Sequence, residues 1–244
     1  MSWYFGADSG TSSNACGTDF YIGRLGGGTT ASLDWAIASS SVKIAYTYWN
    51  IEGPGNAPSS DSTDYGKWGS SQADAYWTEY QKFSGYQIGG STLFGTVSYD
   101  KGLGGWTTTT ITENREVVNG FLKRLSSKAG SGYTVGIDGS KDSELNAYLV
   151  DNYATPWTSP VPIVVWVGDY PGGIDCSNAS SAYCTDAATI TVNGQVRNFA
   201  VGGYEPMIWQ YHGDPDHDIT PYAGGITGSP PRWNPTPAGS GICS

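Results

Sequence analysis

Short apolar runs along the chain alternate with segments whose apolar residues recur three and four positions apart. This is the signature of strands alternating with helices. The runs Trp3–Ala7, Phe20–Arg24, Lys43–Trp49, Leu93–Tyr99, Tyr133–Ile137, Pro162–Val167 and Pro206–Tyr211 predict seven strands. Helical spacing of Ala75, Tyr76, Tyr80 and Phe83 predicts a helix over Asp74–Phe83, and that of Val117, Val118, Phe121, Leu122 and Leu125 predicts one over Thr112–Lys128. Thr112 is a candidate cap at the start of the second. Thr30–Ala38 and Glu144–Asn152 carry weaker versions of the same pattern.

The period changes late in the chain. Ala188–Val192 and Gln195–Ala200 flank Asn193-Gly194, a pair suited to the positive φ angles of a type I′ hairpin turn. The pattern therefore predicts the α/β class: a (β/α) TIM-like barrel made irregular by a late β-hairpin or antiparallel portion. The expected organisation is one domain over residues 1–244, with an irregular Pro/Gly-rich tail from about residue 228.

Composition narrows the function. Only 14% of the 244 residues are charged and 14% are aromatic, with 10 Trp and 17 Tyr. The net charge of −10 opposes binding to nucleic acid or to an anionic membrane surface, so neither partner is expected. A neutral polysaccharide suits the aromatic content, because a sugar ring has an apolar C–H face and a polar rim. Packing of these aromatics in the core is the competing reading. No apolar run is as long as the roughly 18–20 residues of a membrane span.

Four cysteines, with three possible pairings, fit a secreted, disulfide-bonded protein. The expected bridges are Cys16–Cys243 and Cys176–Cys184, and any signal peptide would already have been removed. Asn178-Ala179-Ser180 is a glycosylation sequon within the second of these loops. A monomer without a cofactor is expected.

In a (β/α) barrel, chemistry collects at the C-terminal ends of the parallel strands. The predicted strands are followed by Asp8, by Asn50-Ile51-Glu52, by Asp100, by Asp138 and by Asp169. Glycoside hydrolysis uses a carboxylic acid as proton donor and a second carboxylate as nucleophile, base or stabiliser. Some of these acids are also ordinary turn residues, and Gly-x-Asp-Ser-Gly around Asp8 and Ile-Asp-Gly-Ser around Asp138 are the most turn-like. The histidines His212 and His217 lack zinc-type spacing. Asp214-Pro215-Asp216-His217-Asp218 lacks the Gly and Glu of a calcium-binding EF-hand loop. No metal site is expected, and 214–218 reads as a solvated loop with Asp218 at the cleft edge.

Several motifs resemble those of glycoside hydrolase family 25 lysozymes and the related glycoside-hydrolase-like domains of bacterial cell-wall proteins, over roughly residues 3–222. Phe5-Gly6-Ala7-Asp8-Ser9 is similar to that family's first strand, and Phe20-Tyr21-Ile22-Gly23-Arg24-Leu25-Gly26-Gly27 to its second. Ile44–Trp49 stands where the family has an aromatic-rich strand, and Gln72-Ala73-Asp74-Ala75 resembles the following helix start. Pro162–Tyr170 and Met207-Ile208-Trp209-Gln210-Tyr211 resemble two later strands, and Asp218-Ile219-Thr220 falls where the family often has Asp-Leu-Asn.

The resemblance implies a peptidoglycan-cleaving enzyme with Asp100 as proton donor and Asp8 as stabiliser or nucleophile; Asp169 and Glu52 are further catalytic candidates by their position at strand ends alone. Trp49, Trp106, Trp166, Trp209 and Tyr211, with Asp138 and Asp218, are the candidate sugar-binding residues. One departure stands out. The family's Asp-x-Glu on the fourth strand here reads Ser98-Tyr99-Asp100. A non-catalytic glycan-binding domain on the same barrel is therefore the alternative function, and a β-rich structural protein a third.

Overall fold

The computed structural model describes residues 4–8, 20–26, 44–82, 92–98, 104–150, 156–168, 189–192, 195–198, 204, 206–213 and 216–220. Ten strands are present among them: β1 (Tyr4–Asp8), β2 (Phe20–Gly26), β3 (Ile44–Ile51), β4 (Thr92–Val97), β5 (Thr134–Ser140), β6 (Ile163–Gly168), β7 (Thr189–Val192), β8 (Gln195–Asn198), β9 (Pro206–Gly213) and β10 (Asp216–Thr220). Eight of them close a barrel in the order β1-β10-β9-β6-β5-β4-β3-β2. Every neighbouring pair from β1 through β6 is parallel, as is β6 with β9. β10 runs antiparallel between β9 and β1.

The chain thus has the irregular (β/α)-barrel architecture that its pattern predicts, and β7 and β8 form the predicted antiparallel hairpin. The closing strand was not foreseen. Residues 214–218 read as a solvated loop because Asp-x-Asp is a poor strand sequence, yet 216–220 complete the ring.

Strand alternation sorts the apolar residues into two cores. Ile51, Leu93, Val97, Val135, Ile137, Val165 and Val167 pack with the helices on the outside of the barrel. Phe20, Ile22, Tyr46, Phe94, Trp166 and Ile208 pack together inside it. Successive side chains leave opposite faces of a strand, so these two sets fix which positions look into the barrel.

Two long helices cover β3 to β5: α1 (Tyr65–Lys82) and α2 (Ile111–Ala129). α2 follows its predicted span closely and buries Val117, Val118, Phe121, Leu122 and Leu125. The residue at its N-cap is Thr110, not Thr112, and makes no side-chain cap bond. α1 begins nine residues before the predicted start, through Gly66 and Gly69. Those glycines lower intrinsic helix propensity and so hide the helix from pattern reading. Tertiary packing supplies the reason for Gly69, and for Gly120 on α2. A Cβ on Gly69 would lie 1.9 Å from the Val117 carbonyl oxygen, and one on Gly120 would lie 2.1 Å from that of Gly66.

Alongside this contact, Asp74 accepts from Arg124 Nε at 2.8 Å and Nη2 at 3.0 Å, with Lys128 Nζ 3.2 Å away. The guanidinium hydrogen bonds hold the Asp74 carboxyl below its ordinary range. The last predicted helix, Glu144–Asn152, is a π-helical segment over Lys141–Val150. Thr30–Ala38, all four cysteines with their expected bridges, the sequon, the Asn193-Gly194 turn and the tail lie outside the described residues.

Gly69→Ala and Gly120→Ala are each expected to destabilise the fold by about 1–3 kcal/mol or more, since the backbones must separate. Urea unfolding of the two variants measures this. Tyr46, inside the barrel, has its phenol pushed up to about 12 by burial. The unfolded phenol titrates near pH 10. The folded chain therefore keeps the proton longer, and the stability linked to it is complete below about pH 10 and lost as pH rises toward the folded value. Tyr46→Phe should flatten that part of the alkaline stability curve in urea titrations.

Candidate functional site

The interior faces of β3, β4 and β5 change character toward their C-terminal ends. Within the barrel, Tyr46 meets Phe20 edge-on at 6.0 Å and Phe94 at 6.1 Å. Trp166 lies against Phe94 at 5.7 Å and Tyr48 at 5.8 Å, both edge-to-face. At the upper edge of this aromatic floor the inward positions of β3, β4 and β5 become polar. Asn50, Thr96, Asp138 and Trp166 stand in register across β3, β4, β5 and β6. Two positions further along these four strands are Glu52, Ser98, Ser140 and Gly168.

Asp138 is the carboxylate in this row. It is 7% exposed, and its Oδ2 accepts a hydrogen bond from Thr96 Oγ1 at 2.9 Å. It belongs to β5 itself, so its turn-like sequence context is misleading. The following turn is organised by Glu144, whose Oε2 accepts from the Ser140 N–H at 2.6 Å, and by a hydroxyl contact between Ser140 and Ser143.

Glu52 is held from outside the barrel. Gln72 on α1 accepts from its N–H at 2.7 Å and donates to its carbonyl at 2.9 Å. Asn56 Nδ2 donates to its Oε2 at 3.3 Å. The rim beyond it is laced to the segment after β4 by Gly53 N–H to Gly104 O at 2.9 Å and Gly55 N–H to Gly105 O at 2.8 Å. Gly105 has φ +70, and a Cβ on Gly53 would fall 2.6 Å from its carbonyl carbon. A second tie from α1 reaches β3 where Tyr76, fully buried, donates to the Thr47 carbonyl at 2.8 Å and shares a hydrogen bond with its hydroxyl. Burial pushes the Tyr76 phenol far above its ordinary value.

The structure brings Asp138, Trp166 and Glu52 to one mouth and sends other candidates elsewhere. Trp49 packs on the helix side, tilted against Tyr76 at 5.8 Å. Trp106 is buried and stacked on Tyr148 at 6.0 Å. Trp166 is only 1% exposed, so its ring is occupied by protein neighbours.

For the remaining candidates only the backbone, or nothing, is described. Asp8 ends β1 in register with Ile22 and Asp216. Trp209 pairs with Val167 and Ile219, Tyr211 lies within β9, and Asp218 pairs with Gly6 and Gln210. Asp100 and Asp169 lie outside the described residues. Sequence reading passed over Asn50, Thr96 and Tyr48. The available signal was a polar residue at an alternate position near the end of an apolar strand. Among the described residues no cluster of acids, His or Cys could hold a metal ion.

No protein-family profile matches the sequence, and no characterised protein matches it by sequence. Solved structures match the fold. The spore cortex lytic enzyme SleM of Clostridium perfringens is 19% identical, with a TM-score of 0.57 over 90% of this chain and 67% of that one. A bacterial lysozyme from Streptomyces coelicolor is 13% identical, with a TM-score of 0.51 over 91% and 93%. A family GH25 lysozyme from Aspergillus fumigatus is 11% identical, with a TM-score of 0.51 over 91% and 95%. The chain therefore has a GH25 lysozyme-like fold.

Thr96→Val should cost about 1–3 kcal/mol, because it leaves a buried carboxylate oxygen short of a donor. Thr96→Ser should recover most of the loss. Chemical denaturation of the two variants side by side gives the comparison.

Proposed function

We propose that this protein is a secreted glycoside hydrolase of a polysaccharide, with cell-wall peptidoglycan as the substrate, acting as a monomer. The observation that carries the reading is the buried, Thr96-bonded carboxylate of Asp138 at the C-terminal mouth of a lysozyme-like barrel. Active sites of such barrels lie at that end. The negative net charge is compatible with a polymer that is not strongly anionic. No described helix is long and apolar enough to cross a membrane.

In this reading a carboxylic acid protonates the glycosidic oxygen as the C–O bond breaks. A second carboxylate attacks or stabilises the oxocarbenium-like carbon, and water completes the cleavage. Asp100 is assigned as proton donor and Asp8 as stabiliser or nucleophile, with Asp169 or Glu52 supporting them. Asp138 is assigned to substrate binding, together with Trp209, Tyr211 and Asp218. Carboxylates sharing a desolvated site divide such roles because burial and like charge favour the protonated form of one of them.

A second reading, glycan binding without cleavage, draws on Ser98. It stands half-buried just beyond β4 and cannot supply the carboxylate that the lysozyme-like motif has there.

Purified peptidoglycan incubated with the protein should release soluble fragments with new reducing ends. Asp100→Asn should lower that rate by about 10²–10⁴-fold, the usual contribution of a general acid, with an unchanged melting curve. An unaffected rate would overturn the Asp100 assignment. Polymer pull-down without reducing-end release across a broad glycan panel would favour the binding domain.

A further inference from the structure

Among the described residues the buried side-chain amides are those of Asn50, Gln72, Asn114, Asn146 and Gln210. Most are committed. Gln72 grips the Glu52 backbone through both its amide atoms. Asn114 donates to the carbonyls of Thr107 and Tyr148. Gln210 has interactions of its own. Asn146 donates to Asp142 and keeps a sealed, unpaired oxygen.

Asn50 differs from all of them. It is 8% exposed, and its amide makes no hydrogen bond among the described residues. It is also absent from the polar atoms that are both unpartnered and sealed from solvent. It shares its strand face with Tyr46 and Tyr48, so it faces the barrel interior, and it is in register with Thr96, the donor to Asp138.

A nearly buried amide without partners is disfavoured, and such groups in native proteins call for an explanation. Asn50 stands near the C-terminal end of β3, the end at which the mouth of such a barrel lies. The amide offers donors and an acceptor together, which matches a hydroxyl group, itself both donor and acceptor. Asp138, one strand beyond Thr96, supplies a further acceptor at the same level. Half-buried Tyr48 supplies apolar surface below.

We propose that Asn50 is a saccharide-binding residue on the floor of the mouth, where its amide hydrogen-bonds a ring hydroxyl of the bound sugar. This rests on the saccharide reading of the site, not on whether that site cleaves its ligand. The stability that the unpartnered amide costs the free protein is recovered when the sugar binds. Asn50 is therefore retained at the expense of the free fold, a usual trade at functional positions.

The experiment measures binding and stability together. Chitotetraose and a soluble disaccharide-peptide fragment of peptidoglycan serve as probes in rapid-mixing tryptophan fluorescence, with the wild type, Asn50→Ala and Asn50→Leu. Affinity for at least one probe should fall about tenfold in both variants, the value of roughly one net hydrogen bond. At the same time the melting temperature of Asn50→Leu should equal or exceed that of the wild type. An affinity loss under about twofold would overturn the proposal, because that is below the smallest value of one net hydrogen bond. So would a fall in melting temperature in both variants, which would mark the amide as structural. Absence of any binding by the wild type would overturn the saccharide reading and this assignment with it. Wild-type binding that both variants retain would remove the assignment alone.

Discussion

Each parallel strand of this barrel has to bury both of its faces. One face meets the helices and the other meets the strands across the ring, so alternate residues serve two separate cores. Everything at the mouth follows from that division. Leu93, Val97, Val135, Ile137, Val165 and Val167 hold α1 and α2 against the outside. The inward residues between them are released from helix packing and can change from aromatic at the floor to polar at the rim. Asn50, Thr96 and Asp138 occupy that change of character, at one level on three adjacent strands.

The helices do more than cover the sheet. Because Gly69 and Gly120 let the backbones of α1 and α2 touch, α1 lies where Gln72 can hold both backbone groups of Glu52 and Tyr76 can hold Thr47. The end of β3 is thereby fixed from outside the barrel, while inward Asn50 makes no side-chain hydrogen bond among the described residues. The rim is fixed separately by the backbone pairing of Gly53 and Gly55 with Gly104 and Gly105. Rigid support around an uncommitted polar group is the arrangement that a preorganised binding site requires.

Much of the fold was legible because its signals are local. The apolar runs of β3, β5 and β6, the helical period of α2 and the paired strands on either side of Asn193-Gly194 each depend on spacing within about 20 residues, and all are present in the structure. The start of α1 was not legible, because its glycines oppose helix formation locally and Gly69 is explained only by Val117, which lies on another helix. Strand β10 was hidden for a related reason: its Asp-rich sequence is a poor strand until β1 and β9 offer it two edges to join. For the site, the sequence marked Asp138 and Glu52 by their position after apolar runs. The large tryptophans proved harder to place, since Trp49 and Trp166 lie on similar strands yet serve opposite cores.

The sequence by itself determined the barrel class, the order of its main elements, the acidic bias of the strand ends and the kind of partner that the net charge disfavours. These follow from composition and from periods of 2 and 3.6 residues, which are properties of the chain alone. Only the tertiary structure decided which carboxylate is buried and bonded, which aromatics are core, and that Asn50 looks into the mouth with its amide unpaired. A side chain's partners come from strands and helices far apart in sequence, and burial and hydrogen bonding exist only once those elements are brought together.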